Sequence, residues 1–290
     1  MRVAAVTGTP LARHRGMRVP PELSVVVPAY NEEQRLERML RDALSELRRR
    51  GQPCEVIVVD DGSRDGTSAL VLRLAADFPE LRLIRLPENR GKGYAVRTGV
   101  VNAHGRHVVF ADADGATPFQ ELERLERALR DGADVAIGSR ALAQADVTVA
   151  ARLHRRVMGR VFHALVSLLA VRGFRDTQCG FKLFRRAAAQ DLFSRLRVPG
   201  FSFDVEVLLM ARRGGYRVAE VPVNWTHQPG SRVDLARDSL RMLRDLFIIR
   251  SNALRGKYDR PHVTPLLGDA ASSPARVERQ SAPRTTVRAP

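Results

Sequence analysis

Five short apolar runs, each closed by a polar loop, limit what this chain can fold into. Residues 23–27, 55–59, 81–86, 107–111 and 134–138 are rich in Val, Ile and Leu, the pattern of strands buried on both faces. The intervening segments carry a helical period instead. Leu36, Met39, Leu40, Ala43, Leu44 and Leu47 mark one amphipathic helix, closed by Gly51. Leu70, Leu74 and Phe78 mark a second, with Asp65 placed to cap it. A third ends near Gly105, and Leu122, Leu125 and Leu129 mark a fourth. Before the fourth, Thr117-Pro118-Phe119-Gln120 reads as N-cap, N1 proline and the Gln of a capping box. Strands alternating with helices at this spacing give right-handed βαβ units. The expected class is α/β, a mostly parallel sheet flanked by helices.

Such a sheet gathers ligands at the carboxyl ends of its strands. Four strand-end loops carry Tyr30 and Glu32, Asp60 and Asp61, Asp112 and Asp114, and Arg140. Asp112 and Asp114 are one residue apart where a strand runs out, so both carboxylates can face one cation. Hard oxygen donors suit Mg²⁺ or Mn²⁺, which would bridge a diphosphate. Other nucleotide and hydrolase signatures are missing. Gly91-Lys92-Gly93 is not a P-loop, no G-x-G-x-x-G follows the first strand, and there is no G-x-S-x-G elbow. Cys54 and Cys179 have no C-x-x-C spacing, which implies neither a disulfide framework nor a thiolate zinc site.

Charge narrows the partners. Lys+Arg 48 against Asp+Glu 32 gives a formal charge of +16, which favours nucleic acid, anionic lipid headgroups or phosphorylated substrates. Only 6% of residues are aromatic, and a carboxylate-lined sheet edge repels phosphates in the absence of metal. Nucleic acid is therefore not an expected partner. Residues 1–20 carry several arginines without a continuous apolar stretch, so no signal peptide is expected. No run reaches the roughly 18 to 20 apolar residues of a spanning helix. The longest, residues 161–171, is interrupted by His163 and bounded by Arg160 and Arg172. In residues 234–252, Leu240, Leu243, Leu246 and Phe247 share a face opposite Arg237, Arg241 and Arg244, as in a basic helix lying in a membrane interface; docking on the core gives the same period. Beyond about residue 260 the chain is rich in Pro, Ser, Ala and Arg without periodicity. The expected organisation is a flexible N-terminus (1–20), one α/β domain (21–232), an interfacial amphipathic helix (233–256) and a disordered basic tail (257–290).

Together, Ser24-Val-Val-Val-Pro-Ala-Tyr-Asn-Glu-Glu33, Val58-Val-Asp-Asp-Gly-Ser-Arg-Asp-Gly-Thr67, Asn89-Arg-Gly-Lys-Gly93 and Asp112-Ala-Asp114 resemble family 2 glycosyltransferases. Asp176-Thr-Gln-Cys-Gly-Phe-Lys-Leu-Phe184 looks most like the dolichyl-phosphate β-glucosyltransferase branch. The resemblance implies a GT-A (Rossmann-like) fold that binds a nucleotide sugar and inverts its anomeric centre. It implies that Pro28, Tyr30, Glu32 and Asp60 or Asp61 hold the nucleoside, with Lys92, Ala113 and Arg232 also on the donor. Asp112 and Asp114 would hold Mg²⁺ or Mn²⁺ on the diphosphate, and Asp176 and Gln178 match positions near the donor sugar. Arg140, Arg152, Arg155 and Arg156 would clamp the phosphate of a polyprenyl lipid acceptor. Mannose synthases of the family commonly carry Gln where this chain has Ala116, which weighs against a mannose enzyme, and the branch it resembles implies transfer of glucose from UDP-glucose. GDP-mannose as donor and a saccharide hydroxyl as acceptor are the alternatives. A peripheral location on the cytoplasmic face of a membrane follows. Asp204 and Glu206 read equally as helix caps or substrate contacts; Cys179, Trp225 and His227 read as structural.

Overall fold

The computed structural model describes residues 20–142, 144, 146–150, 166, 171, 173–228 and 235–259. All five expected strands form, in order with their helices: β1 (Leu23–Ala29), α1 (Leu36–Arg50), β2 (Cys54–Asp60), α2 (Thr67–Asp77), β3 (Leu81–Arg85), α3 (Lys92–Val101), β4 (His107–Ala111), α4 (Leu122–Arg130) and β5 (Val135–Ser139). There follow β6 (Val149–Ala150), β7 (Phe181–Arg185), α5 (Arg186–Ser194), α6 (Phe203–Arg213), β8 (Val218–Pro222), β9 (Trp225–Thr226) and α7 (Leu235–Leu254).

Seven strands make one sheet in the order β3-β2-β1-β4-β7-β5-β8. Neighbours are parallel except β7, which is antiparallel to both β4 and β5. The period-2 alternation of each strand sends side chains to two layers. Val26, Ile57, Val59, Val108 and Phe110 pack with residues of α3, α5, α6 and α7. Val25, Val27, Val56, Val58 and Val109 pack with α1, α2 and α4 on the other face. The continuous apolar runs follow from this double covering.

Helix ends follow local chemistry in part. Gly51 closes α1 in the left-handed conformation at φ 64°, its N–H donating to Arg48 O, where a residue without Cβ fits at no steric cost. Asp65 does serve the start of α2: its Oδ1 accepts from Thr67 N at 3.0 Å. The capping box at residues 117–120 does not form. Pro118 is extended, and a 3₁₀ turn at Phe119–Glu121 precedes α4 without a side-chain cap. Phe119 is buried there, edge-on to Phe181 with ring centroids 6.0 Å apart, so packing of an aromatic sets the entry.

α7 divides the face expected from its sequence. Leu246 and Ile249 are fully buried in the α3 layer, with Ala253 and Tyr258 beside them, whereas Leu240, Phe247, Ile248 and Leu254 are exposed. Among the described residues no helix is long and apolar enough to cross a membrane. The expected flexible N-terminus (apart from Pro20), the basic tail beyond Asp259 and most of the 161–171 stretch lie outside the described residues.

Candidate active site

The loops after β1, β2 and β3 are sewn together by hydrogen bonds within the chain. Asn31 takes φ 52°, a left-handed conformation that Asn tolerates better than most residues. From there its N–H donates to Ser63 Oγ and its Oδ1 accepts from Arg64 N. Glu32 N donates to Thr67 Oγ1 at 2.8 Å, and Arg35 grips the Glu32 carboxylate through two bonds of 2.8 and 2.6 Å. The two aspartates after β2 do different work. Asp60 is fully buried; Ser63 N and Ser68 Oγ donate to its two oxygens, and it does not line the cavity described below. Asp61 does line it, while its oxygens accept from Arg90 N and Gly91 N, each at 2.8 Å. Burial pushes the Asp61 carboxyl pKa up, and those two N–H groups pull the other way.

A cavity of about 560 Å³ opens at this sheet edge. Its wall includes Pro28, Tyr30, Glu32, Asp61, Lys92, Asp112, Ala113 and Asp114, eight of the expected donor residues drawn from four segments. Asp112 is fixed to the start of β7 by its N–H, which donates to Gly180 O at 3.0 Å. A Cβ on Gly180 would stand 1.9 Å from Asp112 Oδ2, so the missing side chain is what makes room for the carboxylate. Lys92 Nζ lies 2.6 Å from Asp112 Oδ1. Asp114 Oδ1 accepts from Ala116 N at 3.0 Å. Burial raises the Asp114 pKa, the neighbouring Asp112 charge raises it further, and Lys92 and Arg35 partly offset both. Two close carboxylates of this kind call for positive charge. Among the described residues no group of three or more His, Cys, Asp or Glu forms a closed metal cage. The two carboxylates are hard oxygen donors of the kind that suit Mg²⁺ or Mn²⁺, and Asp112 and Asp114 are the residues that would hold such an ion.

Arg140, Asp176 and Gln178 assemble beside the cavity, outside its described lining. The Arg140 guanidinium meets Asp176 through bonds of 2.7 and 2.9 Å, and Arg140 N adds a third of 3.0 Å. Burial acts to raise the Asp176 pKa, but the Arg140 charge and hydrogen bonds outweigh it and hold the carboxyl down at about 2. Glu220 Oε1 accepts from Asp176 N and from Ser139 Oγ, and Gln178 N donates to Asp176 Oδ1. Arg140 is thus committed to a buried carboxylate, with its guanidinium 5.5 Å from the Trp225 ring centroid. Arg152, Arg155, Arg156 and Arg232 lie outside the described residues.

Glu206 accepts from Tyr258 OH and Val198 N, an internal structural role, and burial pushes the Cys179 thiol up to about 12, as suits a packing residue. Trp225 and His227 lie beside each other with ring centroids 6.2 Å apart and their planes tilted by 36°. Sequence reasoning missed several parts of the wall. Asn31, Arg35, Pro199, Phe201 and, from α7, Arg241, Met242 and Arg244 also line the cavity. Arg35 was detectable as the i+3 partner of Glu32; the α7 residues were not, because helical periodicity does not name the surface a helix covers.

These features make a carboxylate-lined cavity at the carboxyl edge of an α/β sheet. The family model for glycosyl transferase family 2 matches residues 24–193, and the chain belongs to that family; it is a glycosyltransferase. Curated relatives include the dolichyl-phosphate beta-glucosyltransferases of Drosophila melanogaster (46% identical over 250 residues, 82% of this chain and 77% of that one) and Homo sapiens (43%, with the same coverage). That of Saccharomyces cerevisiae is 40% identical over 254 residues, 81% of this chain and 76% of the other. Among solved structures, glucosyl-3-phosphoglycerate synthase from Mycobacterium tuberculosis in complex with UDP shares the fold at TM-score 0.59 and 22% identity, covering 84% of this chain and 82% of its own. The same enzyme in complex with Mn²⁺, UDP-glucose and phosphoglyceric acid gives TM-score 0.58 at 20% identity, with the same coverage.

Proposed function

We propose that this enzyme transfers glucose from UDP-glucose to a polyprenyl or dolichyl phosphate with inversion, releasing UDP and giving a β-linked lipid phosphate sugar. The observation that carries it is the Asp112–Asp114 pair at the end of β4, facing a cavity shared with Tyr30, Glu32 and Lys92. The names of the relatives supply the sugar and the acceptor class. Pro28, Tyr30 and Glu32 form the nucleoside wall. Asp61 acts through the loop it clamps, presenting Gly91 and Lys92. When bound, a divalent cation would supply charge neutralisation of the departing diphosphate; Asp112 and Asp114 would hold it, and Lys92 adds a further positive charge at the same edge.

The acceptor needs little activation, because a lipid phosphate is already anionic near neutral pH. It needs cations to position it. α7 brings Arg241 and Arg244 to the cavity wall, and the same helix exposes Leu240, Phe247 and Leu254 at seven-residue spacing. An apolar stripe flanked by arginines suits a surface of anionic lipid beside the site, and supports peripheral attachment to a membrane. Asp114→Asn tests the donor half. It should abolish transfer of labelled glucose from UDP-glucose while leaving the thermal melt unchanged, and full activity in that variant would refute the assignment.

A further inference from the structure

Lys92 occupies an unusual place, with its ammonium group where a cation for Asp112 would be expected. Its Nζ lies 2.6 Å from Asp112 Oδ1, and it borders the cavity. The backbone holds it there. Gly91 N is bound by Asp61, and a Cβ on Gly93 would stand 2.6 Å from Phe203 Cβ, so α3 and α6 approach more closely than side chains permit. Asp204 follows Phe203 as the second residue of α6, and its negative charge favours the Lys92 ammonium alongside that of Asp112. Behind Asp204 lies Lys182, only 1% exposed, with its Nζ 2.5 Å from Asp204 Oδ1 and 2.6 Å from Cys179 O. Both ammonium groups sit near the Phe110 ring, 5.6 and 5.3 Å from its centroid.

The result is a row of alternating charge that runs from the buried Lys182 and Asp204 out to the part-exposed Lys92 and the Asp112–Asp114 pair at the cavity wall. Three carboxylates face two ammonium groups, leaving one negative charge over, and the adjoining Arg35–Glu32 and Arg140–Asp176 pairs are each neutral. A divalent cation arriving alone would reverse the sign of the row and compete with Lys92 for Asp112. The doubly negative diphosphate of a sugar nucleotide arriving alone would deepen the negative charge. Arriving together, the two leave the net charge unchanged, so each should strongly favour the other.

We infer that Lys92 is the built-in counter-ion of the Asp112–Asp114 pair, set in place by Asp204 and Lys182, and that a divalent cation takes its place only when a nucleoside diphosphate arrives to receive the ammonium. This rests on the donor assignment above and deepens it, making Asp204 and Lys182 positioning residues for cation binding. The test is a titration of the full chain with Mn²⁺, following free Mn²⁺ by electron paramagnetic resonance with and without UDP. The unaltered chain should bind Mn²⁺ weakly alone and much more tightly with UDP. Lys92→Met should bind Mn²⁺ alone about ten-fold more tightly, with UDP adding little. Lys92→Arg, which keeps the charge, should stay weak, and Asp204→Asn, which removes a negative charge, should weaken Mn²⁺ binding. Opposite signs for Lys92→Met and Asp204→Asn are not what general loosening of a core produces. Lys92→Gln serves in place of Lys92→Met if the latter melts early. If the neutral variant binds Mn²⁺ with UDP yet holds Mn²⁺ alone no more tightly than the unaltered chain, the counter-ion role falls and the donor assignment stands. If UDP fails to bind with Mn²⁺ in the unaltered chain, both fall.

Discussion

Gly180→Ala isolates the placement of one carboxylate. The new methyl carbon would stand 1.9 Å from Asp112 Oδ2 and 2.1 Å from its carboxyl carbon, whereas ordinary contact begins at 3.4 Å. The oxygen must therefore retreat by about 1.5 Å, or β7 must move away from β4. Gly180 is not among the glycines with positive φ, so alanine adds no backbone strain of the left-handed kind. The stability cost should stay within the roughly 1–3 kcal/mol of a modest overpacking. Function should suffer more, since a misplacement of about 1 Å can cost about a hundred-fold in rate. Calorimetry of UDP binding in the presence of Mn²⁺ should show weaker affinity, and the rate of glucosyl transfer should fall by about two orders of magnitude. A melt confirms that the fold survives. Wild-type Mn²⁺–UDP affinity and rate in Gly180→Ala would refute the placement of Asp112.

Two further outcomes follow from the same geometry. Arg140→Met leaves the Asp176 carboxylate buried without its partner and should cost about 3–5 kcal/mol in denaturant unfolding at neutral pH. Because the folded Asp176 pKa of about 2 lies below its ordinary 3.8, the pair contributes stability above pH 3.8 that is lost as pH falls toward 2; with a difference of about 2 kcal/mol, the unaltered chain should lose more over that window than Arg140→Met, and equal losses would contradict the pairing. Leu240→Glu with Phe247→Glu alters only exposed positions; it should abolish flotation with liposomes containing anionic lipid while leaving UDP binding intact, and undiminished flotation would remove α7 from the membrane contact.

What could be read in the sequence depended on whether a signal was local. β1, β2 and β4 were legible because both faces of each are covered, which leaves an unbroken apolar run. β7 was not, because Lys182 interrupts its run, and only Asp204, 22 residues further on, and Cys179 O make a buried lysine tolerable there. Asp112 and Asp114 were legible as an i, i+2 pair at a strand end and through the family motifs. The choice between Asp60 and Asp61 was open, since adjacent residues of one type differ only in which loop each clamps. The bond between Arg140 and Asp176 spans 36 residues and leaves no periodic trace. α7 was legible as a helix, but the period of its leucines could not show that Leu246 turns inward while Leu240 and Phe247 remain exposed.

The most direct measurement is the product itself. Purified protein incubated with UDP-[¹³C]glucose, dolichyl phosphate and Mn²⁺ in detergent, then extracted and examined by NMR, should yield a lipid-soluble phosphate-linked glucose with the β anomeric configuration, and no product when EDTA replaces the metal. Label confined to water-soluble sugar, an α-linked lipid product, or lipid product formed only from GDP-mannose would contradict the assigned reaction.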